Sequence, residues 1–496
     1  MPRLDRIAAA AAAAALLAAC AGSPPDLAPA RPDAPWQPPA AAPTGGFVLP
    51  PQPALAELPP TPDVDPAHAY TLPELIDLAQ RNHPATRIAW IDARNAALAA
   101  GAAQRAWLPR LSATVLAGYQ QRRGDSEGRW LSFENEGSGH AAVGVLSLQW
   151  LLFDFGERAA LAEGAEQGAM VAGIGFTAAH QQLIESVSLA YYAHGAAQAR
   201  IGVAQRSLAN SRQVLDAAQA RYRQGIGTVI DVAQARQGVA QAELARVQAE
   251  GRARDNHHAL VAALGISPLT PLKVADAPAP ALGRADEAPV ERIVAEALAR
   301  RPDVQAAHAA LLASRAGARA AEAARRPKVF LAASASRSSG RASVSALPGI
   351  GQDGPTLNLS GSGSGAGVFV GVTVPLLDGG TRETAQAQAA QRIDAAEARL
   401  DRARQQAVQQ IVVAQDALRS ALASAEAAEA LQATAAVTHD AALEAYRHGV
   451  GTITAVTLAD TQMLQAGQAL ADARAAAQSA AVTLAFATGA LGSAPR

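Results

Sequence analysis

Tyr222-Arg223-Gln224-Gly225-Ile226-Gly227-Thr228 returns 224 residues later as Tyr446-Arg447-His448-Gly449-Val450-Gly451-Thr452. The same offset carries Leu152-Phe153-Asp154-Phe155-Gly156 onto Leu376-Leu377-Asp378-Gly379-Gly380, and Leu264-Gly265 onto Thr488-Gly489. Upstream the offset is 218. There Asn82-His83-Pro84 answers to Arg300-Arg301-Pro302, and Trp107-Leu108-Pro109-Arg110-Leu111 to Arg325-Arg326-Pro327-Lys328-Val329. The register slips once, by six residues, between Pro109 and Asp154. The chain therefore contains one structural unit twice. The slip belongs in a loop, since all else keeps its spacing in both copies.

No proline interrupts the chain between Pro109 and Pro268 or between Pro375 and Pro495, so each window admits a very long helix. Leu183, Val187, Ala190, His194, Ala197, Ile201, Ala204, Leu208, Ser211, Leu215, Ala218 and Tyr222 alternate steps of four and three. That is the seam of a coiled coil, here made mostly of small residues. Ile411, Ala414, Leu418, Ala421, Ala425, Ala428, Ala435, Ala442 and Tyr446 repeat it. Long helices are predicted over 157–224 and 380–448, each on the order of 100 Å at 1.5 Å per residue. The glycine pairs Gly225/Gly227 and Gly449/Gly451 then cap and reverse the chain. Second helices follow over 229–264 and 453–488. Each repeat reads as a long helical hairpin with a tight tip.

The other ends of the long helices lead into strands. Val368, Val370, Val372 and Val374 alternate with Phe369, Gly371 and Thr373; Leu146, Leu148, Trp150 and Leu152 alternate with Val145, Ser147, Gln149 and Leu151. Leu111, Ala113, Val115, Ala117 and Tyr119 do the same, and a fourth strand starts near Lys328. One greasy and one small or polar face is the pattern of a transmembrane barrel strand. The expected strands are about 109–121, 142–153, 327–339 and 366–377. The polar, Gly-rich stretches Arg122–His140 and Arg337–Gly365 are expected as loops, the second absorbing the slip. Four strands are too few for a barrel, whose narrowest membrane form uses about eight. An open sheet in lipid would leave edge groups unpaired at several kcal/mol each. Two copies would supply eight strands and three would supply twelve.

The N-terminus reads as an export signal over 1–19. Arg3 and Arg6 precede a short apolar run from Ile7 to Ala19, too short to span a membrane comfortably. The run ends in Leu17-Ala18-Ala19-Cys20, which resembles a bacterial lipobox, and Cys20 is the sole cysteine. Cys20 is read as the lipidation site; the plainer alternative is an ordinary signal peptide with an incidental cysteine. Ala21 after it suits, by resemblance to sorting signals, the outer membrane of a Gram-negative cell. Residues 20–66 form a Pro/Ala-rich tether holding fifteen of the chain's 30 prolines. The first repeat is placed at 67–265, a linker at 266–288, the second repeat at 289–489 and a tail at 490–496. A net charge of −1 and 4% aromatic residues give no footing for nucleic acid.

Taken together, the twin tips, the strand exits and their order and duplication resemble the TolC/OprM outer-membrane factor family over roughly Tyr70 to Gly489; the lipobox resembles the OprM branch. The resemblance implies an α+β membrane protein whose duplicated unit closes as a homotrimer. A 12-strand β-barrel would sit in the outer membrane above a 12-helix periplasmic barrel. Thr71–Gln80 and Pro289–Arg301 look like short helices of the family's equatorial belt. The implied partners are a periplasmic adaptor (membrane fusion) protein and an inner-membrane RND or ABC transporter. The adaptor would dock at Gly225, Ile226, Gly227, Thr228, Gly449, Val450, Gly451 and Thr452. Tyr222 and Tyr446 are candidates to hold the tunnel mouth shut. The family's constriction-lining acid, nine positions after the tip glycine, falls on Asp460, whose counterpart in the first copy is Arg236; Thr457 stands where a second acid often occurs. Asp231 is a further candidate.

The expected function is passive conduction in a tripartite export system, for drug or metal efflux or type I secretion. No phosphate loop, zinc signature or nucleophile elbow is present, so neither an enzyme nor a cofactor is expected beyond the lipid on Cys20. His257 and His258 are adjacent and point to different helix faces, which argues against a metal site; His194 and His439 fall on the seams. The rivals are a lipid-anchored periplasmic coiled-coil scaffold and a cell-envelope hydrolase. Four strands with one greasy face count against the first, and the lack of a catalytic constellation counts against the second.

Overall fold

A computed structural model describes residues 29, 31–36, 46–56, 62–127, 132–275, 290–347 and 356–492. The chain divides into two units, Met1–Thr61 and Pro62–Arg496. In the first, the described residues are irregular apart from a 3-10 turn at Pro53–Leu55. Cys20 lies outside the described residues.

The second unit is the duplication made solid. Its helices are α1 (Leu72–Asn82), α2 (Pro84–Gln104), α3 (Glu157–Arg223), α4 (Val229–Ala263), α5 (Val290–Arg300), α6 (Pro302–Ala323), α7 (Thr381–Arg447) and α8 (Ile453–Ala487). Its strands are β1 (Ala69–Tyr70), β2 (Arg110–Glu127), β3 (Ser132–Phe153), β4 (Lys273–Val274), β5 (Lys328–Leu347) and β6 (Thr356–Thr373). The long hairpins α3–α4 and α7–α8 repeat residue for residue at offset 224. The short helices correspond at 218: α1 with α5, and α2 with α6. Helices α2 and α6 were not anticipated. Their signal was present, because Pro84 and Pro302 each occupy the first helical turn, where a missing N–H costs nothing.

Helix α3 is the centre of the bundle. It packs on α4 and α8, while α7 packs on α8, giving the lateral order α7–α8–α3–α4. Two neighbours require two buried stripes. Besides the predicted seam, α3 buries Ile184, Ser188, Tyr191, Val203, Ser207 and Val214. Helix α2 lies against α3, and α6 fills the gap between α3 and α7. A belt of aliphatic residues closes the far end of the first hairpin, with Leu75 and Leu78 of α1, Val187 of α3 and Leu260 of α4 among its buried members.

Strands β2-β3-β5-β6 form one antiparallel sheet. They run 18 to 22 residues, about twice what a membrane crossing takes. The stretches expected as loops, Arg122–His140 and Arg337–Gly365, are instead largely paired ladder. The glycines and serines there do not break the pairing. Each hairpin has 18 matching rungs, ending at Glu127–Ser132 and at Ser345–Thr356; four residues separate the last pair in the first and ten in the second, so the six extra residues fall in the second hairpin as expected. The last strand stops at Thr373 and not near 377, since Pro375 has no N–H to continue the ladder.

Register sorts the two faces. Leu111, Leu148, Ala333 and Val368 share a row, as do Ala113, Leu146, Ala335 and Ala366. Leu331–Val370 and Val329–Val372 extend this apolar band. Between those rows lies Ser112, Ser147, Ser334 and Gly367 on the opposite face, with the Ser112 and Ser147 hydroxyls 2.7 Å apart. The outer margins of β2 and β6 carry no partner strand among the described residues. Among the described residues, no helix is long and apolar enough to cross a membrane.

Sheet and bundle meet at Asp154 and Arg158. The Arg158 guanidinium donates to Asp154 Oδ2 (2.8 Å), Leu151 O (2.6 Å) and Leu152 O (3.3 Å), and stacks 4.2 Å from the Trp107 ring. Asp378 and Arg382 repeat the pair, but there Arg382 is 42% exposed against 6% for Arg158. Removing one partner of a buried pair strands the other. Arg158→Ala is therefore expected to cost about 3–5 kcal/mol, and Arg382→Ala about 1 kcal/mol or less. Denaturant unfolding of the two variants, followed by circular dichroism, checks the difference.

Candidate functional site: the helical tips

The tips are built by backbone geometry. Gly225 (φ +77°) and Gly449 (φ +82°) take the left-handed conformation that stops each long helix. The amides of Ile226 and Gly227 both donate to Arg221 O at 3.1 Å, and those of Val450 and Gly451 to Ala445 O at 3.0 and 2.9 Å. The chain then passes so close to the helix end that a Cβ on Gly227 would lie 2.9 Å from the Tyr222 nitrogen, and one on Gly451 3.0 Å from the Tyr446 nitrogen. Thr228 opens α4 through a reciprocal cap. Its hydroxyl accepts from Asp231 N (3.1 Å), and Asp231 Oδ2 accepts from Thr228 N (2.9 Å). Asp231 is thus engaged in holding its own tip. In the other tip Thr452 accepts from Ala455 N at 3.3 Å, with no acid in that place.

The two tyrosines separate. Tyr446 is 2% exposed and packs among Val214, Ala218, Val232, Leu443, Ile453 and Val456, whereas Tyr222 is 49% exposed. The helix order explains it: Tyr446 lies on the seam between α7–α8 and α3, inside the chain, and Tyr222 occupies the corresponding place on a seam the chain leaves open. Burial pushes the Tyr446 phenol up, the Asp231 charge adds to this, and Arg221 opposes it. Arg221 was missed in the sequence. Its guanidinium stacks 4.7 Å from the Tyr446 ring and donates to Tyr446 O, so it ties one tip to the other. Its counterpart in the second copy is Ala445.

Asp460 does not fit a carboxylate ring facing a tunnel. It is 9% exposed and sits between three helices. Ser211 Oγ donates to its Oδ2 at 2.5 Å, and His439 Nε2 lies 3.9 Å from its Oδ1. Burial pushes its carboxyl above the ordinary range, against the Ser211 hydrogen bond, the His439 charge and Asn210. Spacing from the tip glycine gives its height along α8 but not which way it faces. Arg236, its counterpart, is exposed. At the tips themselves Ile226, Val229, Ile230 and Val450 are exposed beside Thr228 and Thr452. His194 and His439 are buried, as their seam positions implied. Among the described residues, no group of three His, Cys, Asp or Glu side chains is placed to hold a metal ion.

Two segments, 75–266 and 293–490, match the model of the outer membrane efflux protein family, one match per repeat. The chain belongs to that family. Like its members, it is an outer-membrane channel for efflux or secretion and not an enzyme. Protein CyaE of Bordetella pertussis is 29% identical over 366 residues, 74% of this chain and 73% of that one. The outer membrane protein VceC of Vibrio cholerae is 21% identical with a TM-score of 0.68, over 84% of this chain and 96% of that one. The CmeC outer membrane channel of Campylobacter jejuni is 16% identical, also at 0.68, over 86% and 87%. This efflux-family fold accounts for the tips as the free ends of a helical barrel. Gly451→Ala, which lacks room for its methyl, is expected to open the second tip. Limited proteolysis should then cut near residues 447–452 at least severalfold faster than in the wild type, with cleavage elsewhere unchanged.

Proposed function

We propose that three copies of this chain close into one conduit, with twelve strands in the outer membrane and twelve helices below. The observation that carries this reading is the pair of open sheet margins. With the order β2-β3-β5-β6 and strict up-down alternation, β6 of one copy meets β2 of the next antiparallel, so the same pairing continues around a ring. Eight strands leave an interior filled by side chains, and a conduit needs more. The outer face of α2 supports the same closure. Ile88, Ile91 and Leu98 are exposed there, while their counterparts on α6 are Ala306, Ala309 and Ala316, of which the last two are buried. Because α6 bridges α3 and α7, α2 would bridge α3 and the next copy's α7.

In this reading the tips close the periplasmic mouth, with Arg221 and Tyr446 as the tie between hairpins and Tyr222 on the seam between copies. The uncharged tip surface at Gly225–Thr228 and Gly449–Thr452 receives a periplasmic adaptor protein, which links the channel to an inner-membrane RND or ABC transporter. Cys20 carries lipid in the outer membrane. The test is planar-bilayer recording of the purified protein. Wild type is expected to form mostly closed pores, and Arg221→Ala to raise open probability by roughly tenfold, the worth of about 1.4 kcal/mol. An unchanged open probability argues against a tip gate, and the absence of pores argues against the conduit itself. Crosslinks from cysteine at position 228 or 452 to a co-expressed adaptor test the docking surface.

A further inference from the structure

The junction of Ser211, His439 and Asp460 is polar where the fold does not require it. The quasi-equivalent positions, on the seam the chain leaves open, are Ala435, Leu215 and Arg236. There Leu215 packs against an apolar cluster, Ala435 is buried and Arg236 is exposed. The same backbone is therefore satisfied by a leucine in the place of His439. Burying a histidine and a carboxylate costs desolvation that an apolar pair avoids, so stability alone does not account for them. The two groups are also incompletely satisfied. His439 Nε2 and Asp460 Oδ1 are both buried without a hydrogen bond, and they face one another across 3.9 Å.

We propose that His439 and Asp460 form a proton-operated catch that joins α7, α8 and α3 just inside the tips. The groups facing it are few. From α7 come His439 and Asp440, whose Oδ1 lies 3.2 Å from His439 Nδ1. Helix α8 supplies Asp460, and α3 supplies the neutral Ser211 and Asn210. The adjoining cleft between α4 and α8, about 460 Å³, adds the neutral Gln234, Gln237 and Gln241. Both ring nitrogens of His439 thus look at carboxylate oxygens. A neutral imidazole has one N–H and serves only one of them; an imidazolium serves both.

The cycle is one proton taken from solvent onto His439 and returned. With the proton on, the charged ring closes the gap to Asp460 and pins the second hairpin to α3. With the proton off, Asp460 is left as a buried anion with no cation, and the junction loosens. Burial disfavours a lone Asp460 carboxylate and the His439 charge opposes that effect, so loss of the junction's one proton is unfavourable in the packed tip. The catch is therefore tight with the junction's proton on and slackens as rising pH removes it. Its consequence for conduction rests on the tip-gate reading above; the catch itself does not.

Hydrogen exchange of the full-length, detergent-solubilised protein tests it without any current. Protection factors, corrected for the intrinsic pH dependence of exchange, are followed over residues 207–218, 435–447 and 453–464 from pH 5.5 to 8. Wild type is expected to lose protection as pH rises, by up to roughly tenfold per pH unit for one coupled proton. His439→Gln and Asp460→Asn are expected to flatten that slope. The double variant His439→Leu with Asp460→Asn, which follows the Leu215 precedent, provides a folded, pH-flat control should either single variant fail to fold. A flat wild-type profile, or the wild-type slope persisting in the double variant, overturns the catch. A flat conductance alongside pH-dependent exchange would overturn the gate and leave the catch standing.

Discussion

A backbone amide or carbonyl at the margin of a β-sheet has no water to turn to inside a bilayer. That constraint organises this molecule. Among the described residues, strands β2 and β6 each present one unpaired margin, and several kcal/mol per stranded group forbids leaving them so in lipid. The helical part imposes nothing comparable. Its seams are mostly alanine, which allow close approach but bury little area each. Sheet closure thus fixes how many copies assemble, and the helices follow in register.

Duplication makes that closure simple and then departs from it near the helical tips. The hairpins match residue for residue at one offset, so the seam inside a chain and the seam between chains are built on one backbone plan. Their chemistry differs. Inside the chain, Arg221 clasps buried Tyr446, and His439 faces Asp460. The corresponding positions on the outward seam hold Ala445, Tyr222, Leu215 and Arg236. Two kinds of seam alternating around a ring allow one kind to be held by specific polar contacts and the other by packing.

Much of the fold was legible because its signals are local and periodic. The glycine tips, the heptad steps and the alternating strands each depend on a few neighbouring residues; the tips and long helices appear at the expected places, and the strands include the expected segments but run on through stretches expected as loops. What was not legible depended on partners far away in sequence. Gly- and Ser-rich stretches looked like loops because polar composition carries no period-two apolar signal, yet they pair. The buried second stripe of α3 appears only once α8 is known to lie beside it. Asp460 is a candidate for the constriction by resemblance, from its distance to a glycine, yet burial among α3, α7 and α8 sets its environment. Arg221 gave no signal at all, since a tip arginine is ordinarily solvated and its partner is 225 residues away.

The most direct measurement is the mass of the detergent-solubilised particle by native mass spectrometry, with the β content read by circular dichroism on the same sample. The account predicts three chains per particle and a β signal lost when the particle is dissociated. A single chain that retains its strands would contradict it.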